Sequence, residues 1–314
     1  MRTVVASWPA QVPRHHSICR GAARHGRCRS TTGGARGNAL SDIQQTALYT
    51  SLWRHLDQSV SKFPICMDAP AADILDAFLA PATRLQLEAS SNLTAFVDLL
   101  AIRTRFIDDL VTSSLPEQLV IVGAGMDTRA HRLACGPSTR IFEVDTSLRV
   151  LEEKRRCLAE AGHALTCGQV HHVEGDVRDA AQLERALVAS GFQRGLRTTW
   201  IFEGILEYVP RETHPALFAM AASMSLGCGR GGSLLIAQVL EPEFVTEGFL
   251  TDEDRASLPY ESLYSASEAE ALVRSAGWDE TYVWRGEDLF TIYPNANGRT
   301  LPRGFTLLTA KDAD

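Results

Sequence analysis

Gln118-Leu-Val-Ile-Val-Gly-Ala-Gly-Met-Asp-Thr-Arg129 is the segment from which the architecture of the whole chain can be inferred. Its first part, Leu119 to Val122, is an apolar run without alternation, which is typical of a parallel strand covered on both faces. Gly123 and Gly125 follow directly, and glycine permits both a tight turn and the close approach of a ligand to the backbone. The segment therefore indicates a nucleotide-type binding turn at the carboxyl end of a strand.

Two features of this turn distinguish between nucleotides. A dinucleotide fingerprint has a third glycine three residues after Gly125, where this chain has Thr128. The next helix is predicted to begin at Met126 or Asp127, and the Asp127 carboxylate suits a helix N-terminus but repels a phosphate. S-adenosylmethionine has no phosphate and carries a positive sulfonium, so the turn favours this cofactor over NAD. A turn that binds nothing is the alternative.

The composition is that of a large globular domain behind an unusual amino-terminal arm. The 314 residues are 45% hydrophobic, and no apolar run approaches the roughly 20 residues of a membrane span. Residues 1–40 contain seven arginines and no acid, as in an organellar transit peptide. A disordered extension or a start codon assigned too early are the alternatives. We predict a leader over 1–40 and one domain over 41–314, located in the cytoplasm, or in a mitochondrion or plastid if the leader targets it.

The sequence gives no sign of a metal or nucleic-acid site. The seven cysteines are scattered and form no CxxC pair, which predicts reduced thiols. His171 and His172 are neighbours in a predicted strand, so they point to opposite faces and cannot form one metal clamp. The leader arginines have Trp8 as their only interleaved aromatic, which disfavours a nucleic-acid arm. We expect no bound metal, nucleic acid or membrane.

A helix predicted over residues 92–111 carries an arginine on its apolar face. Its apolar residues recur at helical spacing, and Arg103 falls on the same stripe. Arg105 lies on the other face, where Asp109 is its i+4 neighbour. A buried guanidinium needs an anion, because an unpaired buried charge costs roughly 3–5 kcal/mol. The anion is either an internal acid or the carboxylate of a ligand held by a two-pronged contact.

Strands and helices alternate along the rest of the chain. Further strands are predicted at Arg140–Asp145, Val170–Asp176, Thr199–Glu203, Ser233–Val239, Thr281–Trp284 and Phe305–Thr309. Helices separate the first five strands, whereas none is predicted between the last two, which are expected to pair antiparallel. This pattern predicts an α/β fold with a doubly wound, seven-stranded, mostly parallel sheet. Residues 41–112, which open with a capping-box-like Ser41 to Gln44 and include a helix at Ala71–Leu79, are predicted to form a helical cap on a Rossmann-like core over 113–314.

Acids lie where the predicted parallel strands end. Asp145 ends the second strand, about 20 positions beyond Gly123, which is the spacing at which an acid meets a ribose hydroxyl. Asp176 and Val177 follow the third strand, and Glu203 follows the fourth. Ligands of such sheets lie beyond the carboxyl ends of the strands, so these residues are expected around one site.

Taken together, the motifs resemble the leucine carboxyl methyltransferase family of S-adenosylmethionine-dependent methyltransferases, in particular its bacterial and polyketide-type O-methyltransferase branch. The segments that carry the resemblance are Leu-Ala-Ile-Arg103-Thr-Arg-Phe-Ile-Asp-Asp109, Val-Ile-Val-Gly-Ala-Gly-Met-Asp-Thr-Arg129, Ile-Phe-Glu-Val-Asp145, Glu-Gly-Asp-Val-Arg178-Asp and Phe-Glu203-Gly-Ile-Leu-Glu-Tyr-Val-Pro210. They occur in family order over roughly residues 41–280. The resemblance implies a class I methyltransferase fold.

The resemblance also implies a role for individual residues. Arg103 would bind the methionine carboxylate of the cofactor, Gly123 would let the methionine moiety pack on the backbone, and Glu203 would lie near its ammonium group. At the adenosine end, Asp145 would accept hydrogen bonds from the ribose hydroxyls. Asp176 and the Val177 backbone would contact the adenine. The expected cofactor-binding residues are Arg103, Gly123, Gly125, Asp145, Asp176, Val177 and Glu203. Arg54 is interpreted either as a second cofactor contact or as a surface residue, and the chain after Arg285 matches no family segment.

The predicted reaction is an in-line displacement at the sulfonium methyl by an oxygen of a small-molecule acceptor. A carboxylate acceptor is already ionised near neutral pH and needs no base, whereas a phenol requires one. His214 is a candidate base or a solvated residue, so no catalytic residue is assigned. The alternatives are methylation of a protein C-terminal leucine carboxylate, an NAD(P)-dependent oxidoreductase and a non-catalytic nucleotide-binding module.

Residues 241–265 are acidic, with Arg255 as their only base. They form either a solvated loop or a cavity entrance that disfavours anionic partners. Five aromatic residues are interpreted either as the lining of a pocket or as parts of the core: Tyr49, Trp53, Tyr208, Tyr260 and Tyr264.

Overall fold

The computed structural model describes residues 42–225, 232–247, 249–250, 255, 260–293, 296 and 298–312. The predictions that concern the leader 1–40, the cap at Ser41 and the acids of 252–254 lie outside these residues.

The described strands form one seven-stranded sheet. Their bounds are β1 Gln118–Val122, β2 Gly136–Asp145, β3 Cys167–Glu174, β4 Thr198–Phe202, β5 Leu234–Leu240, β6 Glu280–Arg285 and β7 Phe305–Lys311. The strand order is β3-β2-β1-β4-β5-β7-β6. Strands β1 to β5 pair in parallel, whereas β7 pairs antiparallel with both β5 and β6. This topology confirms the predicted doubly wound, mostly parallel sheet.

Four of the described helices precede the sheet, and the other described helices follow its strands. Their bounds are α1 Asp42–Val60, α2 Pro70–Phe78, α3 Pro81–Glu88, α4 Leu93–Ser114, α5 Arg129–Arg132, α6 Leu148–Glu160, α7 Ala180–Ala189, α8 His214–Ser225, α9 Pro242–Thr246, α10 Ala266–Ser275 and α11 Gly286–Ile292. Helix α4 extends three residues beyond its predicted end and buries the predicted apolar stripe.

Three short helices were not predicted, namely α3, α9 and α11. Helix α3 begins at Pro81, a residue suited to the first helical position. Helix α11 lies between β6 and β7, where the expectation of no helix was wrong. The Arg285 backbone N–H that precedes α11 donates to Asp288 at 2.9 Å, and this cap allows a helix of only seven residues.

The helix after the glycine turn also begins later than predicted. Helix α5 begins at Arg129 rather than at Met126 or Asp127. The Asp127 carboxylate accepts the Arg129 backbone N–H at 2.7 Å, which is a local turn that competes with helix formation. The turn is therefore longer and the helix shorter than the sequence pattern indicates.

The central strands are covered on both faces. Every residue of β1, β4 and β5 is buried, which explains why the apolar residues of these strands do not alternate with polar ones. The largest fully buried side chains of the sheet include Trp200, Phe142 and Phe202. The carboxyl ends of β1, β2 and β4 are thus held by a rigid core.

One ion pair lies within this core. Lys154 on α6 is 1% exposed, and its Nζ lies 2.9 Å from Glu143 Oε1 on β2. The same carboxylate lies 3.3 Å from His172 Nε2. His171 stacks instead on Phe142, with 4.8 Å between ring centroids. The two adjacent histidines therefore face opposite sides of the sheet, as expected.

The described part of the chain has neither a membrane-spanning helix nor a metal cluster. No helix there is both long and apolar enough to cross a bilayer, and no group of three or more His, Cys, Asp or Glu is arranged to hold a metal ion. Cys66, Cys135, Cys157 and Cys167 are free thiols. Burial raises the pKa of Cys66 and of Cys135 to about 12, so both remain protonated.

Replacing Lys154 by methionine is expected to destabilise the fold by about 3 kcal/mol, because Glu143 keeps a buried charge with only a histidine beside it. Urea unfolding measures the change. Arg155→Met, an exposed substitution on the same helix, is the control and is expected to have little effect. Adding Glu143→Leu to Lys154→Met should restore most of the loss. Equal stability of the two single variants would show that the buried pair contributes nothing.

Candidate active site

A cavity of about 450 Å³ lies at the carboxyl ends of the parallel strands, with α1 and α4 on its other side. Its volume is in the range of small-molecule sites. All seven residues predicted to bind the cofactor line it: Arg103, Gly123, Gly125, Asp145, Asp176, Val177 and Glu203. The fold therefore brings together residues that are spread over about 100 positions of the sequence.

The glycine turn forms one wall of the cavity. Gly123 has φ +69°, and a Cβ atom there would lie 3.0 Å from Ile205 Cδ1. A Cβ atom on Gly125, whose φ is +39°, would lie 3.1 Å from Ala47 of α1. Both the backbone angles and the close neighbours thus favour glycine.

Asp145 holds this turn in place. Its Oδ2 accepts the Gly125 backbone N–H at 3.0 Å, and its Oδ1 accepts the Ser147 N–H at 3.1 Å. Each carboxylate oxygen has a further lone pair for a ligand hydroxyl. The acid predicted to meet a ribose is therefore positioned by the glycine turn itself.

Arg103 points inward from α4, as predicted, and is 7% exposed. Its Nε lies 2.6 Å from Glu203 Oε1, and its Nη1 donates to Gln238 Oε1 at 2.7 Å. The sequence left an internal acid and a ligand carboxylate as alternatives. The structure contains the internal ion pair, and the same guanidinium also lines the cavity next to Gly123.

Glu203 connects Arg103 to a second buried arginine. Arg129 Nη1 donates to Glu203 Oε2 at 2.8 Å and to Asp127 Oδ2 at 2.5 Å, and its Nε donates to Asp108 at 2.8 Å. Burial raises the pKa of Glu203, but Arg129 and Arg103 outweigh burial and hold this pKa below its ordinary value. Glu203 is therefore ionised at neutral pH.

The network continues to the helices of the amino-terminal part. Arg132 pairs with Asp108 and lies 3.7 Å from Asp68, and Asp68 accepts from Arg54 Nε at 2.7 Å. The interpretation of Arg54 as a surface residue was wrong. It is 7% exposed, lines the cavity and donates to the Met126 carbonyl of the glycine turn at 3.3 Å, because the buried Asp68 supplies the anion it needs.

The far end of the cavity contains Asp176 and Val177. Val177 is buried, whereas Asp176 forms a two-pronged ion pair with Arg178, with 2.6 Å between Oδ2 and Nη2. The hydrogen bond from Arg178 lowers the pKa of Asp176. The carboxylate expected near the adenine is thus already paired at the rim of the cavity.

Glu207 and Gln238 are polar lining residues, joined by a hydrogen bond, that the sequence analysis missed. Glu207, in the turn Leu206–Tyr208 after β4, is 4% exposed, and its Oε1 accepts from Gln238 Nε2 at 2.9 Å. Burial raises the pKa of Glu207 to about 7. A glutamate inside the otherwise apolar run Ile205 to Val209 was the available signal. Its hydrogen-bond partner, Gln238, had no comparable sequence signal, because a single polar residue in a buried strand is common.

Aromatic side chains cover the side of the cavity away from the glycine turn. Trp53 stacks on Phe96, with 4.3 Å between ring centroids, and Tyr208 lies 5.6 Å from Tyr260. Of the five aromatic residues interpreted as pocket lining, Tyr49, Trp53, Tyr208 and Tyr260 line the cavity, whereas Tyr264 does not.

Tyr264 belongs instead to a buried pair with His214. Its hydroxyl lies 2.8 Å from His214 Nδ1. His214 is 0% exposed and does not line the cavity, so its interpretations as a solvated residue and as a candidate base were both wrong. Its position at the start of α8 turns the ring into the core rather than towards water.

The acidic segment contributes little charge to the cavity in the described part of the chain. Glu261 lines it together with Phe244 and Tyr260. Glu241 accepts a hydrogen bond from Thr306 instead. An entrance role is thus limited to Glu261 among the described acids.

A Rossmann-like sheet with a cavity at its carboxyl edge, flanked by an inward arginine and a strand-end acid, defines a class of nucleotide-type binding folds. A model of the leucine carboxyl methyltransferase family matches residues 47–222 of this sequence. The chain belongs to the leucine carboxyl methyltransferase family.

Sequence similarity to individual proteins is consistent with this family assignment. The chain is 34% identical over 203 residues to a Mycobacterium leprae protein named as a candidate S-adenosyl-L-methionine-dependent methyltransferase, and the match covers 63% of this chain and 64% of that protein. It is 32% identical over 230 residues to a protein of the same name from Mycobacterium sp. strain JLS, with 70% and 73% covered. The chain thus spans just under two thirds of the first relative.

A solved structure is similar in fold. The crystal structure of a protein of the DUF574 family from Streptomyces avermitilis superposes with a TM-score of 0.53 at 16% identity, and the match covers 84% of this chain and 97% of that one. At this identity the likeness concerns the fold alone.

The buried network is expected to make stability depend on acid pH. Burial raises the pKa of Asp127, but Arg129 and Arg132 outweigh it and lower this pKa to about 2. A depressed pKa contributes stability that is present above the unfolded value near 4 and is lost as the pH falls through about 2. Asp127→Asn should therefore cost roughly 2 kcal/mol at pH 7 and progressively less below pH 4.

Urea unfolding of both proteins from pH 7 to pH 2 measures this difference. Glu153→Gln, in an exposed ion pair with Arg156, serves as the control and should unfold like the unsubstituted protein at each pH. A pH-independent difference for Asp127→Asn would mean that the lost contact, and not the lost charge, is responsible.

Proposed function

We propose that the protein is an S-adenosylmethionine-dependent methyltransferase that transfers the methyl group to an oxygen of a small-molecule acceptor. The observation that carries the proposal is the convergence of all seven predicted cofactor-binding residues on one cavity of about 450 Å³. The family match and the names of the relatives support the same activity.

The methionine end of the cofactor fits the part of the cavity near Arg103. Within the described residues, Nε and Nη1 of Arg103 are engaged by Glu203 and Gln238, and Nη2 donates no hydrogen bond. That nitrogen is available to a ligand carboxylate. The ionised Glu203 beside it suits an ammonium group, so the pair matches a zwitterionic amino acid.

The adenosine end fits the opposite part of the cavity. Asp145 supplies carboxylate oxygens to ribose hydroxyls, which are both free in S-adenosylmethionine. The Val177 backbone and the Asp176 region are proposed to contact the adenine. When bound, the cofactor supplies an electrophilic methyl group, and the chain supplies alignment and exclusion of water, effects together worth several kcal/mol.

The charges of the cavity disfavour a dinucleotide. The sequence argument relied on repulsion by Asp127, but Arg129 pairs with this carboxylate and weakens that repulsion. Each lining arginine among the described residues, however, already has a carboxylate partner: Arg54 with Asp68, Arg103 with Glu203 and Arg178 with Asp176. Arg103 can still donate from Nη2 to one carboxylate, but the charge of each of these arginines is already balanced, which disfavours a diphosphate with its two negative charges.

Calorimetric titration is expected to show binding of S-adenosylhomocysteine and no binding of NADH. Arg103→Gln should weaken S-adenosylhomocysteine roughly tenfold to a hundredfold, because a hydrogen bond to a charged group contributes about 1.5–3 kcal/mol. Arg105→Gln, on the exposed face of the same helix, should bind as the unsubstituted protein does. Binding of NADH alone would point to the oxidoreductase alternative.

Transfer of a labelled methyl group from S-adenosylmethionine into a cell extract of the source organism distinguishes the acceptors. We expect the label in the small-molecule fraction, because the aromatic walls at Trp53 and Tyr208 suit a flat apolar compound. Heat-inactivated protein is the control. Label in the protein fraction would instead favour methylation of a C-terminal carboxylate, and cofactor binding without any transfer would favour a non-catalytic module.

A further inference from the structure

Glu207 has a feature that the proposed cofactor site does not explain. The residue lines the cavity and is 4% exposed. Gln238 Nε2 donates to its Oε1 at 2.9 Å, whereas its Oε2 is buried and receives no hydrogen bond from the described residues. An unpartnered buried oxygen is costly to a fold. Because Glu207 lines the cavity, a bound ligand is the available source of a partner for this oxygen.

The orientation of the Gln238 amide determines which oxygen of Glu207 carries a proton. The guanidinium of Arg103 contains donors only, so its Nη1 requires the amide oxygen of Gln238 as acceptor. The amide nitrogen then faces Glu207 and donates to Oε1, which must accept. A proton on Glu207 therefore resides on Oε2, the oxygen without a partner.

The groups around Glu207 hold it near the point of ionisation. Burial raises the pKa of Glu207 to about 7. The residue's own backbone N–H, Arg103 and the Gln238 amide oppose this rise, whereas the Glu203 carboxylate adds to it. Burial and the neighbouring Glu207 raise the pKa of Tyr208, so this phenol stays protonated. From the opposite side, Glu261 contributes its backbone N–H to the Glu207 carbonyl at 2.7 Å. A base is most effective when its pKa lies near the working pH.

We propose that Glu207 is the general base of the reaction and that the acceptor is an uncharged aromatic hydroxyl compound rather than a carboxylate, an inference that rests on the proposed methyl transfer. The acceptor O–H proton passes to Oε2 of Glu207 while the acceptor oxygen bonds to the methyl carbon. The electron pair of the breaking carbon–sulfur bond remains on sulfur. The products are a methyl ether, S-adenosylhomocysteine and a protonated Glu207, which returns its proton to water.

The surroundings favour this acceptor over a carboxylate. A carboxylate needs no base, and an ionised Glu207 would repel it. Tyr208 and Tyr260, next to each other on the same wall, offer ring faces and edges to an aromatic acceptor.

The test follows methyl label from S-adenosylmethionine into the organic-solvent-soluble fraction of a cell extract and then treats the product with alkali. A methyl ether retains its label, whereas a methyl ester releases it as methanol. We expect alkali-stable label, and a rate that falls at least a hundredfold in Glu207→Gln. Glu212→Gln is the same substitution at an exposed position in the next short helical segment, Arg211–Thr213. This control variant should transfer the methyl group at the original rate.

The pH profile separates a base from a structural residue. The rate of the unsubstituted protein should fall as the pH decreases through about 7, where Glu207 becomes protonated, and this inflection should be absent from Glu207→Gln. Glu207→Asp, which keeps a carboxyl, should retain the inflection at a lower rate. The affinity for S-adenosylhomocysteine should be unchanged in all variants. Unchanged binding also shows that the variants are folded.

The outcomes distinguish this inference from the proposed function. Release of the label as methanol, or equal rates for Glu207→Gln and Glu212→Gln, overturns the role of Glu207 and leaves the methyltransferase intact. Absence of S-adenosylhomocysteine binding by the unsubstituted protein overturns the proposed function itself.

Discussion

The requirement that every buried charge has a partner shapes the whole of the binding edge. A network of paired arginines and carboxylates borders the cavity in the described structure and extends from α4 through the glycine turn to α1: Arg103, Glu203, Arg129, Asp127, Asp108, Arg132, Asp68 and Arg54. Four positive and four negative groups balance each other. Removing any one leaves an unpaired neighbour in a medium where that is expensive, so the helices cannot shift independently of the sheet.

This network orients the site before a ligand is present. The guanidinium of Arg103 is fixed by Glu203 and Gln238, and Gln238 in turn fixes Glu207. Groups held in this way lose little freedom on binding, which is the advantage of a preorganised site. The same hydrogen bonds thus connect the region proposed for the methionine carboxylate to the region proposed for the acceptor.

The sequence predicted those parts of the structure that depend on local pattern. The apolar runs of β1 and β4 and the stripe of α4 are signals that a chain carries wherever its neighbours lie, and the strand-end positions of Asp145 and Glu203 follow from them. The burial of a single side chain depends on which element packs against it, and no local pattern records this. Arg54 and His214 were therefore misplaced, and Glu207 was overlooked. The short helix α11 was missed because seven residues are too few to establish a helical period.

The position of β7 has a consequence for how the chain is made. This strand lies between β5 and β6 and, among the described strands, is the one that pairs with β6. During translation β6 emerges from the ribosome before the strand that must accompany it, and it waits with two unpaired backbone edges until β7 follows. Completion of the sheet thus waits until β7 has been synthesised, and a stop ahead of Phe305 would leave β6 without its described partner strand, so that two strands are lost from the sheet instead of one.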